Sequence, residues 1–134
     1  MTMSSLAASC LIAVLTLSLV APRAVKAAAS DPAQGEEVYH RCFACHSLKY
    51  NRVGPRHCGL FGRRAGTLEG YSYSTAMKNY GVIWNGKTLD HFLENPTMVV
   101  PGTKMTYAGV KDAQERADLI AYLKKATRDP ETCK

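Results

Sequence analysis

Cys42-Phe-Ala-Cys45-His46 places two thiols three positions apart, with a histidine directly after the second. On one side of a helical turn, thiols at that spacing can add across the two vinyl groups of one haem. The histidine that follows is then held over the iron as an axial ligand. A C-x-x-C pair can also be half of a zinc site or a thioredoxin-like redox couple. A zinc site needs two further ligands at similar spacing, and the chain holds no second C-x-x-C and no H-x-x-x-H. A redox couple belongs between a strand and a helix of a βαβ chain, and nothing downstream has that pattern. The motif therefore points to one covalently bound haem c per chain, attached through Cys42 and Cys45, with His46 on the iron.

An iron that only passes electrons needs a second axial ligand. Met1 and Met3 lie at the extreme N-terminus, which leaves Met77, Met98 and Met105. Met105 closes Pro101-Gly-Thr-Lys-Met105, a constrained loop between two helical segments that can present a thioether rigidly. Met77 and Met98 read better as core filler. His46/Met105 ligation raises the reduction potential and closes the iron to other ligands. His40, His57 and His91 are the competing ligands, but a lone histidine is more often structural or exposed.

The elements that must hold these groups are helical. Asp31-Pro32 is an N-cap followed by proline at the first helical position, and the helix should run to about Cys42. Residues 47–67 are rich in Gly and Arg and have no apolar period, so they read as loop. Ser74 to Tyr80 reads as a short helix stopped by Gly81. Asn85 caps a helix through Leu89, Phe92 and Leu93, ended by Asn95-Pro96. Asp112-Ala-Gln-Glu115 is a capping box for the last helix. Leu119, Ile120, Tyr122 and Leu123 form its buried stripe, and Lys124, Lys125 and Arg128 favour its C-terminal dipole. The fold class is all-α, about four helices with long loops and no convincing strand. Loops of this length in a compact domain need something to wrap around.

At 134 residues the chain has room for one domain. Leu6 to Val20 is an apolar run of 15 residues, shorter than the roughly 20 a transmembrane helix needs. Small residues follow, so residues 1–29 read as a secretory signal peptide cleaved near Ala27 or Ala29, with the mature domain over 30–134. No Lys or Arg stands in the first five residues, so an uncleaved membrane anchor stays open. Without Arg23 and Lys26, 15 basic residues face 11 acidic ones. That mild excess suits steering onto an acidic protein partner; with no basic stripe, it does not suit nucleic acid. A domain this small gains from a large apolar cofactor at its centre.

From about Ala33 to Thr127 the chain resembles a class I cytochrome c, the small bacterial periplasmic kind close to the mitochondrial form. The strings that carry the resemblance are Cys-Phe-Ala-Cys-His46, Val53-Gly-Pro55, Gly59-Leu-Phe-Gly-Arg63, Gly70-Tyr-Ser-Tyr73, Trp84, Leu93-Glu-Asn-Pro96, Pro101-Gly-Thr-Lys-Met105 and Arg116-Ala-Asp-Leu-Ile-Ala-Tyr-Leu123. The resemblance implies that the Pro55 carbonyl accepts the Nδ1 proton of His46. It implies that Tyr73 and Trp84 donate to a buried haem propionate, that Arg63 offsets its charge, and that Thr103 bonds a propionate beside Met105. Gly35 would let the first helix cross closely over the last, where Tyr39 meets Leu119 and Tyr122.

Departures from the pattern are local. His57 stands where the family usually has a leucine packed by the haem. Met77 and Phe92 replace an asparagine and a tyrosine near the methionine ligand, which makes that side more apolar. Tyr107 is the usual aromatic near the exposed haem edge. Thr97 and Met98 take two places where lysines ring that edge, while Lys104, Lys111 and Arg41 remain. Cys58 and Cys133 are left over in what would be an oxidising compartment. In the resembled fold the Cys58 segment lies near the end of the last helix, so the two invite a disulfide.

The expected function is one-electron transfer by a monomer in the periplasm, with no catalysis. The resemblance implies a cytochrome bc complex as donor, and a terminal oxidase, a reductase or a photosynthetic reaction centre as acceptor. A haem peroxidase or a gas sensor would need an open iron, with His57 as the only candidate polar distal residue.

Overall fold

A computed structural model describes residues 29–134; the expected signal segment lies outside these residues apart from Ala29. Among the described residues no helix is long and apolar enough to cross a membrane.

Among the described residues five α-helices succeed one another, and capping residues within three positions explain most of their boundaries. Helix α1 spans Pro32–Tyr39, with the Asp31 side chain accepting from the Ala33 N–H. It stops before Cys42, because its last turn tightens into a 3-10 turn over His40–Cys42. Helix α2 spans Thr75–Tyr80, capped by Ser74 and ended by Gly81 in the left-handed region at φ 60°. Helix α3 spans Gly86–Glu94 and starts with a reciprocal capping box between Asn85 and Thr88.

Besides the four helices expected there is one further, short helix. Pro96 does end α3, but it also occupies the first position of a new short helix, α4, Pro96–Val99. A fixed φ suits the start of a helix as well as it forbids the interior of one. Helix α5 spans Ala113–Ala126. Its capping box is only half made: Asp112 accepts from the Glu115 N–H, but the Glu115 carboxylate turns away to Arg41.

The crossing of α1 over α5 organises the domain. A Cβ on Gly35 would collide with the Asp118 carbonyl and lie 2.8 Å from Tyr122 Cβ, so the helices meet backbone to backbone. Around that crossing Tyr39 is fully buried against Tyr122, with ring centroids 5.2 Å apart. Asp118 reaches across the same junction and accepts from the Asp31 N–H at 2.7 Å. Leu119 and Leu123 are buried; Ile120 and Tyr122 are half-buried at the margin of the stripe.

The long loop contains one ordered feature that lacks a sequence signal. Gly62 N–H donates to the Trp84 carbonyl and Trp84 N–H to the Arg63 carbonyl, both at 2.9 Å, beside a single antiparallel bridge between Arg64 and Ile83. This pairing brings Arg63 and Trp84 to the same end of the core. Cys58 and Cys133, 75 positions apart in sequence, are joined by a disulfide, with Cα atoms 5.4 Å apart. The bridge and a Gly59 N–H to Thr127 carbonyl bond of 2.9 Å hold the loop to the C-terminal tail.

Candidate functional site

Helices α1, α3 and α5 leave a cavity of about 400 Å³ among them and the long loops. That is the size range of a cofactor or ligand site. Its wall includes Cys42, Cys45, His46, Pro55, Arg63, Tyr73, Trp84, Thr103 and Met105, so every residue expected to bind the haem or its iron lines it. Apolar side chains of the core, Leu89, Phe92, Leu119 and Leu123 among them, close the remainder.

His46 is buried and its Nδ1 lies 2.8 Å from the Pro55 carbonyl. A carbonyl only accepts, so the proton sits on Nδ1 and Nε2 keeps its lone pair for a metal. Burial lowers the pKa of this imidazole, opposed by the Pro55 bond, which keeps it neutral at physiological pH. Gly54 is pressed against the ring: a Cβ there would lie 2.6 Å from both ring nitrogens. Gly54 N–H also donates to the Cys45 carbonyl at 2.7 Å, tying the motif to the loop that positions its histidine.

The motif thiols do not behave as a redox couple. Burial pushes the Cys42 thiol up to about 11, whereas a thioredoxin-like pair needs a lowered value. Neither cysteine is in a disulfide, and both line the cavity, Cys42 half-buried and Cys45 exposed.

At the other end, Arg63 donates to the Cys58 carbonyl at 3.1 Å and the Arg56 carbonyl at 3.3 Å, while its Nε is buried with no partner. No carboxylate neutralises it among the described residues. A half-buried cation with a buried, orphaned donor atom, at a cavity also lined by Tyr73 and Trp84, fits an anionic group supplied by a ligand. Burial raises the Tyr73 pKa, so its phenol stays a neutral donor. Thr103 accepts from the Met105 N–H at 3.2 Å, which leaves its hydroxyl proton free to donate. Two thiols, an imidazole with a free nitrogen, a thioether and a carboxylate-binding end together match a haem.

Comparison with known proteins decides the family. The cytochrome c family model matches residues 32–127. The chain belongs to the cytochrome c family.

Cytochrome c2 of Blastochloris viridis is 45% identical over 119 residues, covering 87% of this chain and 94% of that protein. Cytochrome c of Sesamum indicum is 50% identical over 101 residues, covering 72% and 91%. Among solved structures, cytochrome cH from Methylobacterium extorquens superposes with a TM-score of 0.69 at 42% identity, over 71% of this chain and 98% of that one. As a member of this family the chain carries covalently bound c-type haem and transfers electrons between redox complexes; it is not an enzyme.

Three sequence expectations change at this site. His57 is not a distal residue: its ring stacks on His46, with centroids 4.3 Å apart and planes inclined by 23°. Its Nδ1 is 2.9 Å from the Tyr39 hydroxyl, a partnership that no spacing rule signals across 18 residues. Met98 is neither ligand nor core, being 73% exposed on α4. The three cations expected at the exposed edge are tethered: Arg41 pairs with Glu115 through two bonds of 2.7 and 2.6 Å, Lys104 donates to the Ser72 carbonyl, and Lys111 to the Glu94 carbonyl. Met77 and Phe92, as expected, are both buried at the cavity.

Proposed function

We propose that this chain is a periplasmic one-electron carrier in which His46 and Met105 are the axial ligands of a haem bound through Cys42 and Cys45. Bound haem supplies the Fe(III)/Fe(II) couple. The observation that carries the ligand assignment is the Nδ1–Pro55 bond, which leaves Nε2 of His46 as a free donor in a cavity that Met105 also lines. Pro55 and Gly54 hold the imidazole, and Arg63, Tyr73, Trp84 and Thr103 bind the propionates. A cavity lined mostly by apolar side chains, with His46 tied to Pro55, would hold both ligands in place and limit water at the bound iron.

Residues 1–29 act as a signal peptide, cleaved near Ala27 or Ala29, and the mature chain works as a monomer. Its donor is a cytochrome bc complex; its acceptor is a terminal oxidase, a reductase or a photosynthetic reaction centre. Similarity to cytochrome c2 and cytochrome cH supports this placement. Pairing of Arg41 with the Glu115 carboxylate, which offsets its charge, supports docking that is less salt-dependent than in strongly basic relatives.

The ferric protein should show the iron–sulfur charge-transfer band, and Met105→Ala should lose it and bind carbon monoxide when reduced. A Met105→Ala protein with the band intact rejects the ligand assignment. Intact mass of protein purified from the periplasm reads the cleavage site and haem content together.

A further inference from the structure

His57 is the feature that the proposed function leaves unused. It is half-buried, it lines the haem cavity, and its ring stacks on His46. The groups facing it are His46, the Arg63 guanidinium and the Tyr39 hydroxyl, which come from three different segments. Its backbone is fixed as well as its ring. His57 N–H donates to the Ser47 carbonyl at 3.1 Å, Cys58 N–H to the Leu48 carbonyl at 2.8 Å, and Cys58 carries the bridge to Cys133. Such restraint around one imidazole holds it in a single pose against the ligand.

We propose that His57, oriented by Tyr39, is a positioning residue for the axial imidazole: it fixes the plane of the His46 ring and presents an N–H at the wall of the cavity, which raises the reduction potential of the haem held there. The inference rests on His46 being an iron ligand, as set out above.

The tautomer follows from hydrogen-bond accounting. Tyr39 is fully buried, and its hydroxyl has one partner among the described residues, Nδ1 of His57. If Nδ1 carried the proton, the phenol hydrogen would be buried without an acceptor. Tyr39 therefore donates, Nδ1 accepts, and the proton of the neutral ring lies on Nε2. Nε2 has no protein partner among the described residues, and the ring stands at the cavity wall. The positive end of an N–H dipole in a medium of low dielectric disfavours the additional charge of Fe(III). A leucine at the same place would offer neither the dipole nor the ring face.

The test uses four holoproteins: wild type, His57→Leu, Tyr39→Phe and the double variant. Haem attachment is checked by intact mass and ligation by the charge-transfer band. Potentials come from spectroelectrochemistry, and the orientation of the His46 ring from haem methyl shifts in paramagnetic NMR. At a fixed applied potential, His57→Leu should raise the Fe(III)/Fe(II) ratio about threefold or more and change the methyl pattern. Tyr39→Phe should shift the ratio the same way by less, and should add nothing in the His57→Leu background.

An unchanged potential or methyl pattern in His57→Leu overturns the proposal. So does a Tyr39→Phe effect that persists in full without His57, which would mark it as general packing. If Tyr39→Phe fails to fold, the two His57→Leu readings decide alone. Absence of haem or of the band in the wild type would instead overturn the proposed function.

Discussion

Gly54 lies flat against the ring of His46, so close that a Cβ would stand 2.6 Å from both ring nitrogens. The same residue donates its N–H to the Cys45 carbonyl, and its neighbour Pro55 accepts from His46 Nδ1. Gly54→Ala should force the imidazole off the Pro55 carbonyl, combining overpacking with a lost buried hydrogen bond. The expected cost is about 2–4 kcal/mol. A denaturant midpoint measured on the holoprotein, with the charge-transfer band followed alongside, checks it. Wild-type stability with an unchanged band would show that the ring is not clamped here.

Cys58 and Cys133 close a loop of 75 residues, for which the unfolded-chain constraint is on the order of 4 kcal/mol. Cys58→Ser/Cys133→Ser should lose about 2–5 kcal/mol while keeping the haem. Thiol titration of the unfolded, unreduced holoprotein should find none free. Two titrating thiols would reject the bridge.

Arg41 holds the Glu115 carboxyl below the usual carboxylate range through its hydrogen bonds and charge. A lowered folded value contributes stability that is present above about pH 4.3 and is lost as the pH falls through the folded value. Both side chains are more than a third exposed, so solvent screening limits the contribution to below about 1 kcal/mol. Arg41→Gln should flatten the acid limb of the stability curve and leave the limb above neutrality unchanged. The comparison needs low salt, where the pair is least screened.

Met77 and Phe92 are buried at the cavity, with Phe92 also against Trp84 at 5.2 Å between centroids. Dryness on this side should stabilise the Met105-bound iron. Met77→Asn or Phe92→Tyr should then lower the midpoint at which alkali removes the charge-transfer band by about one pH unit, the equivalent of one buried hydrogen bond or bound water. A midpoint that stays put or rises in both variants contradicts the idea.

Features set within a few residues were legible from the sequence. The C-x-x-C-H thiols and imidazole are covalently spaced, so their chemistry needs no fold to be recognised. Ser74, Asn85 and Asp112 cap the N–H groups three residues on, and those helix starts appear where the local signals put them. Pro96 ends α3 as expected, but proline permits two local outcomes, a stop and a first turn, and α4 follows because both occur at once. Glu115 misled: a local partner lost to Arg41, 74 residues away, which offers two charge-assisted bonds instead of one.

Residue types and spacing alone pointed to a haem bound at Cys42 and Cys45 with His46 as its ligand, and to an all-α chain with long loops around it. Only the tertiary structure decided what surrounds those groups. The orphaned Nε of Arg63, its backbone tie to Trp84, the pairing of Cys58 with Cys133 and the stack of His57 on His46 all depend on contacts between distant segments. No local propensity encodes such contacts; they follow from which surfaces the crossing of α1 over α5 at Gly35 brings within reach.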